Sequence, residues 1–312
     1  MSLFWPVSLA IMLICATVPA QAEQIAPAKE RLARVGAPTL EAPLPRGKVL
    51  RRSLADDRDF QFFVYVPKRL AEQPRLFVSI HGISRNAREH AERYAALAEK
   101  YGVVLVAPEF PAKRFPDYQR LGRANRGDRA DRVLERVIAE VTRVTGARGD
   151  KVFLFGYSGG GQFTHRYAMA HPERVAGYVV GAAGWYTFPD QTLSYPRGIK
   201  PNSALPDLTL DPARFLIVPG AVVVGERDVH PGTALRQTES VEDQQGSTRF
   251  ERGERWVASM NNEARARGLP AHFEFHELPR SPHSFEKSMR RGDMGHWVFE
   301  RLFGAAPAGG TE

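Results

Sequence analysis

Short apolar runs alternate with segments of helical period along most of the chain. Asp59–Val66 (D-F-Q-F-F-V-Y-V) is aromatic and β-branched and is ended by Pro67, which predicts a strand. Leu76–Ile80, Val103–Ala107, Val152–Phe155, Val175–Gly181, Ala221–Val224 and His272–Glu277 are the further strand candidates. The runs that are apolar throughout suit strands covered on both faces. Between them, Ala87–Lys100 puts Tyr94, Leu97, Ala98 and Tyr101 on one face, and Asp131–Val144 sets Val133, Leu134, Val137, Ile138 and Val141 at helical spacing. Ser158–His171, Thr248–Arg267 and His283–Leu302 are the other predicted helices. This alternation predicts an α/β fold with a mostly parallel central sheet and helices on both faces. Trp185–Phe215 breaks the rhythm with several prolines and no helical period, so it reads as an insertion after the fifth of these strands.

The two ends of the chain have their own character. Leu9–Val18 is almost wholly apolar and is followed by Ala20-Gln21-Ala22, a small-residue cleavage pattern. Residues 1–22 therefore read as a signal peptide cut after Ala22, which predicts a periplasmic or secreted protein with no stable membrane anchor once it is removed. The run is too short for a bilayer span, which needs roughly 20 apolar residues. No Lys or Arg precedes it, and an uncleaved anchor is the alternative. Residues 23–47 are rich in Pro, Ala and charge and read as an extended leader, 48–304 as a single domain, and 305–312 as a flexible tail.

Cysteine and charge narrow the chemistry. Cys15 is the only cysteine and lies in the removable segment, so the mature chain is expected to lack disulfides, thiol nucleophiles and Cys-ligated zinc. The net charge is +8, but basic and acidic residues are interleaved, as in Arg126–Arg132. That pattern suits solvated helix faces rather than a nucleic-acid stripe, and no nucleic-acid partner is expected. No His-rich or acidic cluster has ligand spacing, and neither metal nor cofactor is predicted.

The sharpest chemical signal is Lys151–Gly161, K-V-F-L-F-G-Y-S-G-G-G. A strand enters Gly156-Tyr157-Ser158-Gly159-Gly160 and a helix leaves it, which is the context of a nucleophile elbow. Ser158 then stands on a tight turn at the sheet edge, and the glycines let backbones approach closely. A Gly-rich turn without catalysis is the bland alternative. A phosphate loop lacks its Gly-Lys-Ser here.

With the elbow, the His81-Gly82 strand end and the later Gly225-Glu226-Arg227-Asp228 and His elements, the chain resembles the α/β-hydrolase superfamily over roughly Lys48–Phe303, in that family's order. Within it, Pro108-Glu109-Phe110 and His171-Pro172-Glu173-Arg174 are most similar to the polyhydroxybutyrate depolymerase-like and feruloyl-type exported esterases. Depolymerases of that group often carry a cysteine beside the oxyanion loop, where this chain has Ile83. The resemblance implies Ser158 as nucleophile, Asp228 as the acid, with Glu226 its nearest rival, and His283 as the base, with His230 in reserve. It also implies an oxyanion hole from the backbone N–H groups of Ile83 and Gly159, with His81 shaping that loop.

Tyr157, Trp185, Tyr186 and His230 are the candidate pocket residues, with Phe188 beside them. Arg114, Arg120 and Arg123 are candidates to hold a substrate carboxylate, with solvated surface arginines as the alternative. The activity implied is hydrolysis of a small-molecule or oligomeric carboxylic ester through an acyl-enzyme. A serine peptidase or amidase, or a binding module that kept the fold, are the other readings.

Overall fold

In the computed structural model, which describes Met1 and residues 43–231 and 235–304, eight strands form one sheet in the order β1-β2-β4-β3-β5-β6-β7-β8. They are β1 (Val49–Leu54), β2 (Asp57–Tyr65), β3 (Arg75–Ile80), β4 (Val104–Pro108), β5 (Arg148–Tyr157), β6 (Val175–Gly181), β7 (Gly220–Gly225) and β8 (Glu274–Leu278). β1 and β2 form an antiparallel hairpin, and β2 runs antiparallel to β4. Every other pairing is parallel. All residues of β4 and β7 are buried, as their unbroken apolar runs require.

The helices are α1 (Ala87–Tyr101), α2 (Ala130–Thr145), α3 (Gly159–Ala170), α4 (Pro212–Phe215), α5 (Glu239–Gln245), α6 (Arg249–Ala266), α7 (Phe285–Arg291) and α8 (Met294–Phe303). They cover both faces of the sheet. On β5, Phe153 packs on Phe303 of α8 and Phe155 on Tyr94 of α1, while the alternate residue Gly156 abuts Thr164 of α3. This is the architecture of the α/β-hydrolase fold.

Four expectations change. β1 was not anticipated, because Arg51 and Arg52 interrupt its apolar pattern and only pairing with β2 makes it a strand. The predicted helix His283–Leu302 is two helices. Gly292 and Asp293, the latter at φ +53°, turn the chain so that Phe299 and Phe303 of α8 pack edge-on against Phe77. His272 precedes β8 instead of lying in it, with its Nε2 3.2 Å from the Val218 carbonyl. Polar α5 forms where Gln245 bonds both the N–H and the carbonyl of Tyr186.

The segment after β6 is irregular up to the short helix α4, as its prolines predict. It is tied down by Tyr195, whose hydroxyl donates to the Arg120 carbonyl at 2.7 Å, and by Trp256 Nε1, which donates to the Thr187 carbonyl at 2.8 Å. The signal peptide, the leader up to residue 42 and the tail 305–312 lie outside the described residues. Among the described residues, no helix is long and apolar enough to cross a membrane.

Candidate active site

β5 delivers the chain into a turn that few residues adopt. Ser158 has φ +54° and ψ −112°, and its N–H donates to the Gly181 carbonyl at 2.7 Å. A non-glycine residue held in such a region costs of order 1–3 kcal/mol, and strain of this kind concentrates at functional sites. The flanking glycines are required by contact. A Cβ on Gly156 would sit 2.2 Å from the Gly160 carbonyl oxygen, and one on Gly160 would sit 2.1 Å from that of Ile80. α3 begins at Gly159, whose N–H has no intrahelical acceptor at that position.

Two loops from β7 and β8 meet at Ser158. His283, between β8 and α7, has Nε2 3.1 Å from Ser158 Oγ and Nδ1 2.7 Å from Asp228 Oδ2. Tyr157 stacks on the imidazole at 5.4 Å and 26°, and its own hydroxyl lies 3.4 Å from Ser288 Oγ. Asp228 is 3% exposed and sits on a turn closed by its N–H to the Gly225 carbonyl, 2.9 Å away. Its rival Glu226 instead accepts the Arg280 N–H at 2.7 Å on the surface. His230 is exposed and is not among the residues lining the cleft at Ser158.

One member was missed by the sequence reading. Arg249 Nη1 lies 3.2 Å from Asp228 Oδ1, and both side chains are buried. The carboxylate is therefore held on one oxygen by imidazole and on the other by guanidinium. The only trace in the sequence is a cation at the first position of α6, after the capping box of Thr248 and Glu251, where the helix dipole disfavours positive charge.

The loop after β3 lies against the elbow. His81 is fully buried, and its two ring nitrogens have separate tasks. Nδ1 donates to the Gly82 carbonyl at 2.8 Å, and Nε2 accepts the Phe110 N–H at 2.9 Å. Burial brings its pKa down to about 4, so it stays neutral and holds the loop. Tyr118 donates its hydroxyl to the His81 carbonyl at 3.1 Å. Gly82 passes close to Ser158, since a Cβ there would be 3.6 Å from Ser158 Cβ. Ile83 Cγ2 lies 3.0 Å from where a Cβ of Gly159 would be, so Ile83 and Gly159 are neighbours beside Ser158.

A cleft of about 250 Å³ opens at the serine, lined by Gly82, Ile83, Ser84, Asn86, His90, Tyr157, Ser158, His283, Ser284 and Phe285. Its far wall comes from α1 and the start of α7, which the sequence reading did not include. His90 is buried and stacked on Phe285 at 3.8 Å, with Nδ1 2.9 Å from Ser79 Oγ. Desolvation holds its pKa well below the ordinary value.

The aromatics after β6 are not in this lining. Tyr186 is fully buried and stacked on Trp256 at 5.2 Å, and Phe188 is buried too, so they anchor the insertion. Trp185 is 6% exposed and carries arginines on its ring. The reason is local: side chains leaving the buried end of β6 enter the core layer before the chain reaches the surface. Of the proposed carboxylate holders, Arg114 is taken up by Asp57 and Asp128, and Arg123 by Asp117.

Similar solved structures cover nearly the whole described chain. A poly(aspartic acid) hydrolase-1 from Sphingomonas sp. KT-1 superposes with a TM-score of 0.70 at 24% identity, over 82% of this chain and 99% of that one. LpqC, a poly(3-hydroxybutyrate) depolymerase from Bordetella parapertussis, does so with 0.68 at 24% identity, over 84% and 92%. The chain has the α/β-hydrolase fold. Among curated proteins the chain is similar to acetylxylan esterase A of Talaromyces purpureogenus, with 30% identity over 138 residues, or 41% of this chain and 36% of that one. Feruloyl esterase B of Talaromyces funiculosus is 28% identical over 120 residues, or 37% and 34%. The match spans only about a third of the length of these relatives. No family model matches the chain.

Proposed function

We propose that the protein is an exported serine hydrolase that cleaves carboxylic esters through an acyl-enzyme on Ser158. The observation that carries this is the continuous relay Ser158 Oγ, His283 Nε2, His283 Nδ1, Asp228 Oδ2, at 3.1 and 2.7 Å. In the acylation step, Ser158 Oγ attacks the ester carbonyl carbon as His283 Nε2 takes its proton. The oxyanion accepts the N–H groups of Ile83 and Gly159, and the alkoxide leaves with the proton from His283. Water, deprotonated by His283, then attacks the acyl-enzyme, and the carboxylic acid leaves as Ser158 recovers its proton. Asp228 keeps the imidazole in the tautomer that accepts at Nε2 and stabilises the imidazolium, with Arg249 fixing the carboxylate.

The names of the acetylxylan and feruloyl esterases among the relatives support ester substrates. The test is a panel of nitrophenyl esters and aminoacyl anilides with wild type, Ser158→Ala and His283→Ala, beside labelling by a fluorophosphonate. Ester turnover and labelling are expected in wild type and lost in Ser158→Ala. Unchanged ester turnover in Ser158→Ala refutes the mechanism, and anilides cleaved far faster than esters make the enzyme an amidase. Export is tested by fractionating expressing cells and sequencing the mature N-terminus, which is expected at Glu23.

A further inference from the structure

Three guanidinium groups surround Trp185. Arg166 lies 4.6 Å from the indole centroid, and Arg120 and Arg236 each lie 5.3 Å from it. Arg166, on α3, is fully buried. Its Nε donates to Thr187 Oγ1 at 2.9 Å and its Nη1 to the Gln119 carbonyl at 2.7 Å, while Nη2 has no partner. Among the described residues, no carboxylate contacts any of the three. Asp117, which acts on Arg120 through space, is occupied by Arg123 and Arg126 at 2.9 and 3.3 Å. Other arginines of this chain do have acids, as Arg114, Arg129 and Arg174 show. Desolvation pulls Arg166 down to about 10 and lowers Arg120 as well, which is the response of cations lacking a counter-charge.

The cluster adjoins the candidate site. Arg120 closes the short turn Tyr118–Arg120, and Gln119 of that turn comes 3.3 Å from a Cβ built on Gly159. Gln162, whose carbonyl and side-chain oxygen face Arg166 Nη1 at 3.3 and 3.4 Å, donates its N–H to the Ser158 carbonyl. Arg166 is two turns of α3 beyond Ser158, about 12 Å along the helix axis. Arg236 is exposed and Arg120 partly so, which leaves the cluster open on one side.

We propose that Arg120, Arg166 and Arg236 around Trp185 form a subsite for a substrate carboxylate, so that the preferred esters carry an acidic group several bonds from the scissile carbonyl. A carboxylate fits because its two oxygens match a guanidinium fork and supply the missing charge. This deepens the ester-hydrolase reading and rests on it.

The test compares acidic and neutral ester pairs on the mature protein: mono-4-nitrophenyl sebacate with 4-nitrophenyl decanoate, and 6-acetoxyhexanoate with hexyl acetate. At least one acidic ester is expected to show a KM about tenfold below its neutral partner, as one good charge-assisted contact gives. Arg120→Gln/Arg236→Gln is expected to erase that difference through KM while leaving kcat on the neutral esters unchanged. Arg120→Lys should restore part of it. No acidic preference in either pair, or a preference that survives the double variant, overturns the subsite. Ser158→Ala tests the parent reading separately, because it removes turnover of acidic and neutral esters alike.

Discussion

Gly160→Ala is the sharpest probe of how the elbow and the loop after β3 depend on each other. The added methyl would stand 2.1 Å from the Ile80 carbonyl oxygen and 2.5 Å from that of His81, both rigid backbone atoms. Relief requires the β3 end and the elbow to part by roughly 1 Å, which carries Gly82 and Ile83 away from Ser158. Overpacking of this kind costs about 1–3 kcal/mol, or a fall of about 2–12 °C in the unfolding midpoint for a domain of this size. A displacement of about 1 Å at the reacting atoms lowers turnover about a hundredfold. The control is Gly177→Ala, where the nearest atoms to the new methyl are at ordinary contact, 3.5 and 3.6 Å. Initial rates on 4-nitrophenyl acetate and thermal unfolding by circular dichroism separate the two effects. If Gly160→Ala matched Gly177→Ala in both rate and midpoint, the close approach would not govern the site.

Two further outcomes follow from buried charge. Arg249→Met leaves Asp228 buried with one oxygen unpaired, so the protein should lose about 3–5 kcal/mol in urea unfolding together with much of its ester turnover; a variant as stable as wild type would show that the ion pair contributes nothing. Buried His81, His90 and His165 have pKa values depressed by desolvation, to about 4 for His81 and well below normal for the other two. Their contribution to stability is full above about pH 6.5 and is lost as pH falls towards 4, because only the unfolded chain takes up the protons. Between pH 7 and 5 His81 alone should cost about 2 kcal/mol, and His90→Phe, which keeps the stacked ring against Phe285, should make the total loss smaller than in wild type. Equal pH sensitivity in His90→Phe would exclude His90 as a contributor.

How much of this was legible in the sequence depends on whether a residue's role is local. β4 and β7 were plain because strands covered on both faces must be apolar throughout. The elbow was plain because Gly156 and Gly160 meet their neighbours within one strand-turn-helix. β1 was not, since its Arg-rich sequence becomes a strand only beside β2. Nor was the break at Gly292-Asp293, where a continuous apolar period crosses two helices that must bend round Phe77. Tyr186 and Phe188 misled for the same reason: an aromatic run after a strand looks the same whether it faces a cleft or fills the core, and burial decides only in three dimensions.

Asp228 and His283 are 55 positions apart, and His283 and Ser158 are 125 apart, yet the three side chains meet in one hydrogen-bonded chain. The parallel register explains why. Tyr157 pairs with Gly181, Gly181 with Val223, and Val223 with His276, so the strand ends lie level across the sheet. Any loop leaving one of those ends emerges on the same side, and a Ser, Asp or His at the head of such a loop lands near the others whatever the length of chain between. Arg249 reaches the cluster from the start of a helix instead, on the layer above the sheet, where no register ties its position to a strand end. Its side chain, and those of Arg120, Arg166 and Arg236, are placed by tertiary packing alone. For that reason the meeting of Ser158, His283 and Asp228 could be read from the order of strand ends, while the arginine cluster proposed as a subsite became visible only once the helices and loops were packed around it.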